Sequence, residues 1–188
     1  MTRTVVFGAG GRAGRAVLAE ARRRGVTATA VVRDPGRYPD LEHAVAGDVT
    51  DAALVARAAH GHDTAIVTVY SADQHDYAAA MEHLLEGLER AGVHRLLVVG
   101  LAPTLGPLPE DFPAAWRPFV EARRAELAVL HRYEGPVDWV VVTPPMELVA
   151  SGDGGYTYAA LAAALLDEVV AGRHHRRQIA AGGQTDSR

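Results

Sequence analysis

Not one cysteine and not one lysine occurs among the 188 residues. The first absence excludes disulfides, thiolate metal sites and cysteine nucleophiles together. The second excludes Schiff-base chemistry and a P-loop lysine, since all 19 basic residues are arginine. Long apolar runs are missing as well, and the longest fall well short of the ~20 residues that a membrane helix requires. No basic region followed by an apolar segment and a small-residue cleavage site precedes Arg3-Thr4-Val5-Val6-Phe7, so a cytoplasmic protein is expected. Clustered positive charge is scarce: the net charge is −4. The short basic runs at 22–24 and 173–177 read as solvated helix ends, which argues against a nucleic-acid partner.

What is present describes a globular chain. Hydrophobic residues make up 48% and charged residues 22%, enough to bury a core without staples. One domain is expected over residues 1–181, with 182–188 as a frayed tail. Apolar runs at Val5 to Phe7, Thr27 to Val32, Thr64 to Val69, Arg95 to Val99 and Val137 to Val142 predict buried strands. Weaker strands are expected at Ala44 to Ala46 and Gln178 to Ala180. Helical patterns separate them at Arg12 to Arg24, from a cap at Asp51 to Ala59, Tyr77 to Ala91, Pro118 to His131 and Tyr158 to Val170. The fourth of these presents Phe119, Ala122, Leu127 and Leu130 as its apolar face, and five prolines occur between Gly100 and Phe119. Ser151 to Gly155 reads as the most flexible internal stretch, and His174-His175 as a surface turn. Continuous apolar strands alternating with helices predict a doubly wound α/β fold, a Rossmann-type parallel sheet of six to seven strands. In such a fold, ligands bind beyond the carboxyl ends of the strands.

The turn Gly8-Ala9-Gly10-Gly11-Arg12-Ala13-Gly14 lies between the first strand and the first helix. Glycine there permits a tight turn and lets backbone amides approach a pyrophosphate at the helix N-terminus. The second strand ends at Arg33, which suits a 2′-phosphate, whereas Asp34 precedes Pro35-Gly36 and suits a turn. The reading therefore favours NADP(H) over NAD(H), with Arg12 as a second cation near the same phosphate. The cluster His60-Gly61-His62-Asp63 lacks metal-ligand spacing.

These segments resemble the atypical short-chain dehydrogenase/reductases. The likeness rests on the Gly8 turn, Val31 to Pro35, Gly47-Asp48-Val49-Thr50-Asp51, Gly61-His62-Asp63, and Ala91 to Gly100. It is closest to the NmrA-like branch, which includes NAD(P)H-flavin reductases and biliverdin-IXβ-reductase-like proteins. It continues through Asp111-Phe112-Pro113 and Val137-Asp138-Trp139 to Ala163–Glu168. The resemblance implies that Asp48 and Val49 lie beside the adenine, and Val69 and Tyr70 beside the nicotinamide ribose. A capping or turn role is the alternative for Asp48. The chain departs from that pattern in two places. Gly100-Leu101 stand where relatives carry a serine after strand five, leaving Thr104 as the nearest hydroxyl. The segment between Val149 and Tyr158 is shorter than in close relatives, so the substrate lobe near the C-terminus is reduced and the pocket should be open.

No strong acid/base set emerges. Tyr70 and His75, after strand four, are the leading proton donors and Thr104 the third candidate. Asp73, Asp76, Tyr77, Glu147 and Tyr158 are further cleft residues. Residues 112–132 contain neither the tyrosine nor the lysine that this helix carries in dyad enzymes. The ionisable groups near the nicotinamide are therefore expected from the neighbouring loops. The reading is a reductase acting on a flat conjugated small molecule such as a flavin or quinone, with Gly100 among the residues at the cofactor. The alternatives are an NADP(H)-sensing regulator without turnover, or a redox-neutral isomerase, dehydratase or cyclase. Oligomeric state is left open.

Overall fold

Val5, Val6 and Phe7 are apolar in succession rather than in alternation, and all three are fully buried. A strand of that kind must be covered on both faces. The computed structural model, which describes residues 2–69, 76–150 and 155–182, has this arrangement throughout. The chain runs β1 (Arg3–Phe7), α1 (Arg12–Arg24), β2 (Thr27–Val32), β3 (Val45–Ala46), α2 (Ala52–Ala59), β4 (Thr64–Val67) and α3 (Tyr77–Ala91). It continues through β5 (Arg95–Val99), α4 (Arg117–Arg132), β6 (Asp138–Thr143), β7 (Leu148–Val149), β8 (Tyr156–Thr157), α5 (Tyr158–Ala171) and β9 (Arg177–Ala180).

Seven strands form one parallel sheet in the order β3-β2-β1-β4-β5-β6-β9. The order reverses between β1 and β4, where an α/β sheet opens its ligand crevice. Alternate strand residues point to opposite faces. Phe7, Val67, Val98 and Trp139 pack with α2, α3 and α4, while Val6, Ile66, Leu97 and Val140 pack with α1 and α5. The seventh strand, expected only as a short edge, pairs in register with Val140 to Thr143.

Several boundaries differ from the sequence reading for identifiable reasons. β4 stops at Val67, and Thr68 beyond it donates from its backbone N–H and its hydroxyl to the Phe7 carbonyl at 3.0 and 3.1 Å, with the hydroxyl also 3.2 Å from Gly8 O. β6 extends to Thr143, which pairs with Ala180. The buried face of α4 is Val120, Arg123, Glu126, Val129 and Leu130, whereas the expected Phe119, Ala122 and Leu127 are half-buried. Phe119 is drawn aside by edge contacts to Tyr77 and Trp116, with ring centroids 5.9 and 6.2 Å away. Between β6 and α5 the small lobe contains the two-stranded parallel ribbon of β7 and β8. Residues 151–154 of the stretch expected to be flexible, and 183–188 of the expected tail, lie outside the described residues.

The amino ends of β5 and β6 are held by charge. Arg95 pairs with Asp138 and with Glu168 of α5 (3.1 Å) and donates to the His174 carbonyl at 2.9 Å. His174 and His175 are therefore more than a surface turn: their Nδ1 atoms meet Glu168 at 2.6 Å and Asp138 at 2.8 Å. This clamp lies at the opposite end of the sheet from the crevice. Among the described residues no helix is long and apolar enough to cross a membrane.

The packing of α5 supplies a test. Leu165 is fully buried, whereas Val170 is 70% exposed on the same helix. Leu165→Ala should cost about 2–5 kcal/mol in urea unfolding, and Val170→Ala less than about 0.5 kcal/mol.

Candidate functional site

The glycine turn begins with a backbone constraint. Gly8 has φ +80°, and its N–H donates to the Val31 carbonyl at 3.1 Å, tying the turn to β2. α1 then starts at Gly11, whose extended backbone leaves the first turn with no side-chain cap and no acidic residue. The opening N–H groups of a helix lack internal acceptors and carry its positive dipole end. Here they are presented where Gly10, Gly11, Arg12 and Ala13 line a cleft of about 740 Å³.

The glycines divide the labour. A Cβ on Gly14 would strike the Gly8 carbonyl oxygen and lie 2.6 Å from Ala9 Cα, so Gly14 seats the helix against the turn and does not line the cleft. A Cβ on Gly11 would meet nothing nearer than Gly8 O at 3.5 Å. The turn is braced from outside by Arg15, whose Nε donates to Gly10 O at 3.0 Å and whose guanidinium pairs with Asp40, holding that carboxyl below its usual range.

At the β2 end the cleft is lined by Arg33 and Arg37, both exposed and neither paired with a described carboxylate. Asp34 is committed elsewhere: Oδ1 accepts from Gly36 N at 3.0 Å and caps the following 3-10 turn. Asp48 also lines the cleft while its Oδ1 accepts from Thr50 N (3.0 Å) and Thr50 Oγ1 (2.8 Å). It is thus a turn former and a cleft residue at once. Val49 beside it is buried.

The opposite end is formed by Val69, Val99, Gly100, Leu101 and the residues after β6, including Met146, which is 60% exposed. Gly100 is there for a packing reason. A Cβ would strike Thr143 Oγ1 and come within 2.8 Å of Val141 Cγ1, so a serine would require the Thr143 and Val141 side chains to shift. Thr104 does not line this cleft. Its hydroxyl donates to Leu101 O at 2.7 Å and accepts from Gln178 Nε2 at 2.8 Å, and Gln178 also donates to Thr143 Oγ1 at 2.9 Å. Thr104 therefore ties the β5 loop to β9. Tyr70, His75 and Asp73 lie outside the described residues.

One expectation is overturned. α4 was expected to bring no ionisable group to the site, yet Arg123 reaches the cleft wall while 7% exposed. Its guanidinium donates to Val99 O at 2.6 Å, pairs with Glu126 at 2.8 Å and lies 4.9 Å from the Tyr77 ring centroid. A long side chain can bury its stem and still deliver its head group, and the i,i+3 pair with Glu126 makes that burial tolerable. Burial pushes the Glu126 carboxyl up to about 7, against the lowering effect of Arg123. Arg37, Tyr38 and Arg123 are among the lining residues that motif reading missed. The visible signal for the last was Arg123-x-x-Glu126 interrupting an otherwise apolar helix face.

Arg12, Arg33, Arg37 and Arg123 line this cleft together with Asp34 and Asp48, four cations and two anions in a chain of net charge −4. The arrangement suits an elongated anionic ligand with one flat, apolar end. No group of acidic or histidine side chains that could hold a metal occurs among the described residues.

The comparisons agree with the geometry. The family model described as NAD(P)H-binding matches residues 8–182. Among solved structures, the chain is similar to a provisionally named exported protein from Burkholderia pseudomallei (29% identity, 96% of this chain and 98% of that one, TM-score 0.79). It is also similar to a provisionally named epimerase from Bacteroides thetaiotaomicron (27%, 100% and 99%, 0.80). A third is a provisionally named NADH-flavin reductase from Streptococcus pneumoniae (25%, 96% and 98%, 0.78). The chain spans these structures almost end to end. No curated protein matches the sequence.

Two tests follow from the site. Gly11→Val should keep the circular dichroism spectrum and abolish dinucleotide binding in a calorimetric titration, because the branched side chain fills the approach to the amides. Gly14→Val should instead lose the fold or most of its stability, since its Cβ has no space. For Glu126, a folded pKa of about 7 above the unfolded 4.5 means that the fold prefers the protonated acid. That contribution is fully present below pH 4.5 and is lost as pH rises through about 7. Glu126→Gln should flatten the fall in urea-unfolding free energy across that window, and an unchanged slope would assign it to another group.

Proposed function

Because the chain belongs to the NAD(P)H-binding family, we propose that it is an NADP(H)-dependent oxidoreductase acting on a flat conjugated small molecule such as a flavin or quinone. The observation that carries this reading is the pairing of an uncapped helix N-terminus with an uncommitted arginine at the end of β2. The α1 amides would hold the pyrophosphate. Arg33, helped by Arg12 and Arg37, would meet a 2′-phosphate through charge-assisted hydrogen bonds. Asp34 lies in the same region with its Oδ1 held by its own turn, and the unpaired cations around it favour NADP(H) over NAD(H).

Asp48 and Val49 would flank the adenine, and Val69 with Tyr70 the nicotinamide ribose. Gly100, without a side chain, leaves room for the ring. When bound, the nicotinamide supplies hydride transfer; the chain positions it and the acceptor. Phe119, Leu101 and Met146 provide an apolar wall against which a flat ring can lie. Tyr70 and His75 are the proposed sources of a proton, with solvent as the alternative in so open a cleft. The name carried by the S. pneumoniae neighbour supports a flavin-type acceptor.

The test joins binding to turnover. NADPH should bind more tightly than NADH, and Arg33→Ala should cost about 1.5–3 kcal/mol for NADPH, or about ten- to a hundredfold in Kd, with little change for NADH. NADPH oxidation should be seen with at least one member of a flavin and quinone panel. Equal affinity for the two cofactors would remove the role of Arg33. Tight binding with no turnover would replace the reductase by a dinucleotide sensor.

A further inference from the structure

A charged side chain buried in a cleft wall needs a reason, because burying a guanidinium is costly unless its donors are used. Arg123 is such a group. It is 7% exposed, sits beside Gly100 and Leu101 at the end of the cleft away from Arg33, and lines the same space as Phe119. A guanidinium carries five N–H donors. Val99 O takes one, and the ion pair with Glu126 occupies another. The Tyr77 ring covers it from α3, at 4.9 Å from Cζ to the centroid. The remaining N–H groups have no acceptor among the described residues.

The pairing is also incomplete as charge neutralisation. Glu126 does not line the main cleft. It lies behind Arg123, sharing a small cavity with Asp76 and Tyr77. Its carboxyl titrates near neutrality because burial penalises its charge. Arg123 therefore stands between the cleft and an acid that readily takes up a proton. An anion arriving from the cleft side could take over the guanidinium while Glu126 becomes neutral. The surroundings define its shape: Phe119, Leu101 and Met146 are apolar and suit a flat ring.

We infer that Arg123 is the anion-recognition residue of the substrate end, and that the molecule bound there is a flat conjugated ring carrying an ionised oxygen, a carboxylate or an enolate. This rests on the reading of the opposite end as the cofactor site. It adds the charge of the substrate and the residue that selects it. A planar fork donating two parallel hydrogen bonds matches the oxygen pair of a carboxylate better than a point charge does.

The experiment compares 2-naphthoate with its neutral counterpart 2-naphthamide, by calorimetric titration of the full chain with and without NADPH at about pH 8, above the Glu126 titration. The wild type should bind the carboxylate at least about tenfold more tightly than the amide, the scale of a hydrogen bond to a charged group. Arg123→Met should remove that preference while leaving 2-naphthamide and NADPH affinity unchanged. Glu126→Gln should strengthen the preference severalfold, because it frees the guanidinium from its competitor. A purely structural pair predicts no gain, and it keeps the inference testable should Arg123→Met fail to fold. Equal affinities in the wild type, a preference that survives Arg123→Met, or no gain with Glu126→Gln would each overturn the inference. Loss of NADPH affinity in Arg123→Met would reassign Arg123 to the cofactor and overturn it too. Absence of NADPH binding in every sample would sink the cofactor reading alone.

Discussion

The closeness with which α1 sits on the turn before it governs everything at the cleft. Gly14 has no space for even one carbon beyond Cα, because the Gly8 carbonyl and the Ala9 backbone occupy it. That contact brings the start of the helix directly over the carboxyl end of β1, where the sheet reverses its order. Gly8 and Ala9 are in turn hydrogen-bonded to Val31, so helix, turn and β2 move as one body. The unsatisfied amides and the arginine at the end of β2 are thereby held in fixed relation. Preorganisation of that kind spares a ligand the cost of ordering its own site.

Charge is the second organising element. The chain is acidic overall, yet its cleft is lined by four arginines and two aspartates. One of those aspartates has its Oδ1 committed to its own turn, and the other to Thr50. With no lysine available, every cation in the cleft is a planar fork that stays charged. Three of them gather toward the glycine turn and the β2 end, and Arg123 stands apart near Val99. A ligand that is anionic at one end and flat at the other fits this separation.

The polar machinery at the two ends of the sheet differs in kind. At the amino ends, Arg95 binds Asp138, Glu168 and the His174 carbonyl, a closed set that joins two strands to α5. At the carboxyl ends, the arginines are left with donors to spare. The hydroxyls of Thr104 and Thr143, joined through Gln178, fasten β5, β6 and β9 beneath the cleft without entering it. The threonine that looked like the nearest chemical hydroxyl therefore has a structural task.

The layered fold, the glycine turn between β1 and α1 and the contrast between Arg33 and Asp34 were all legible in the order of residues, because each depends on neighbours along the chain. Apolar runs bounded by glycine define buried strands, a glycine run between strand and helix defines the turn, and an aspartate before Pro-Gly is drawn into its own backbone. What depended on residues far apart in sequence was not legible. Phe119 was read as core by spacing, but Trp116 and Tyr77 turn it toward the cleft. Gly100 was read as a missing serine, but the Thr143 side chain on the neighbouring strand occupies the place of its Cβ. His174 and His175 passed for a surface turn until Glu168 and Asp138 came beside them. Arg123 was hidden for the same reason. Its helix spacing places it in the core beside its i,i+3 partner Glu126, and only the approach of Val99 and Tyr77 in three dimensions sets the guanidinium at the wall of the cleft.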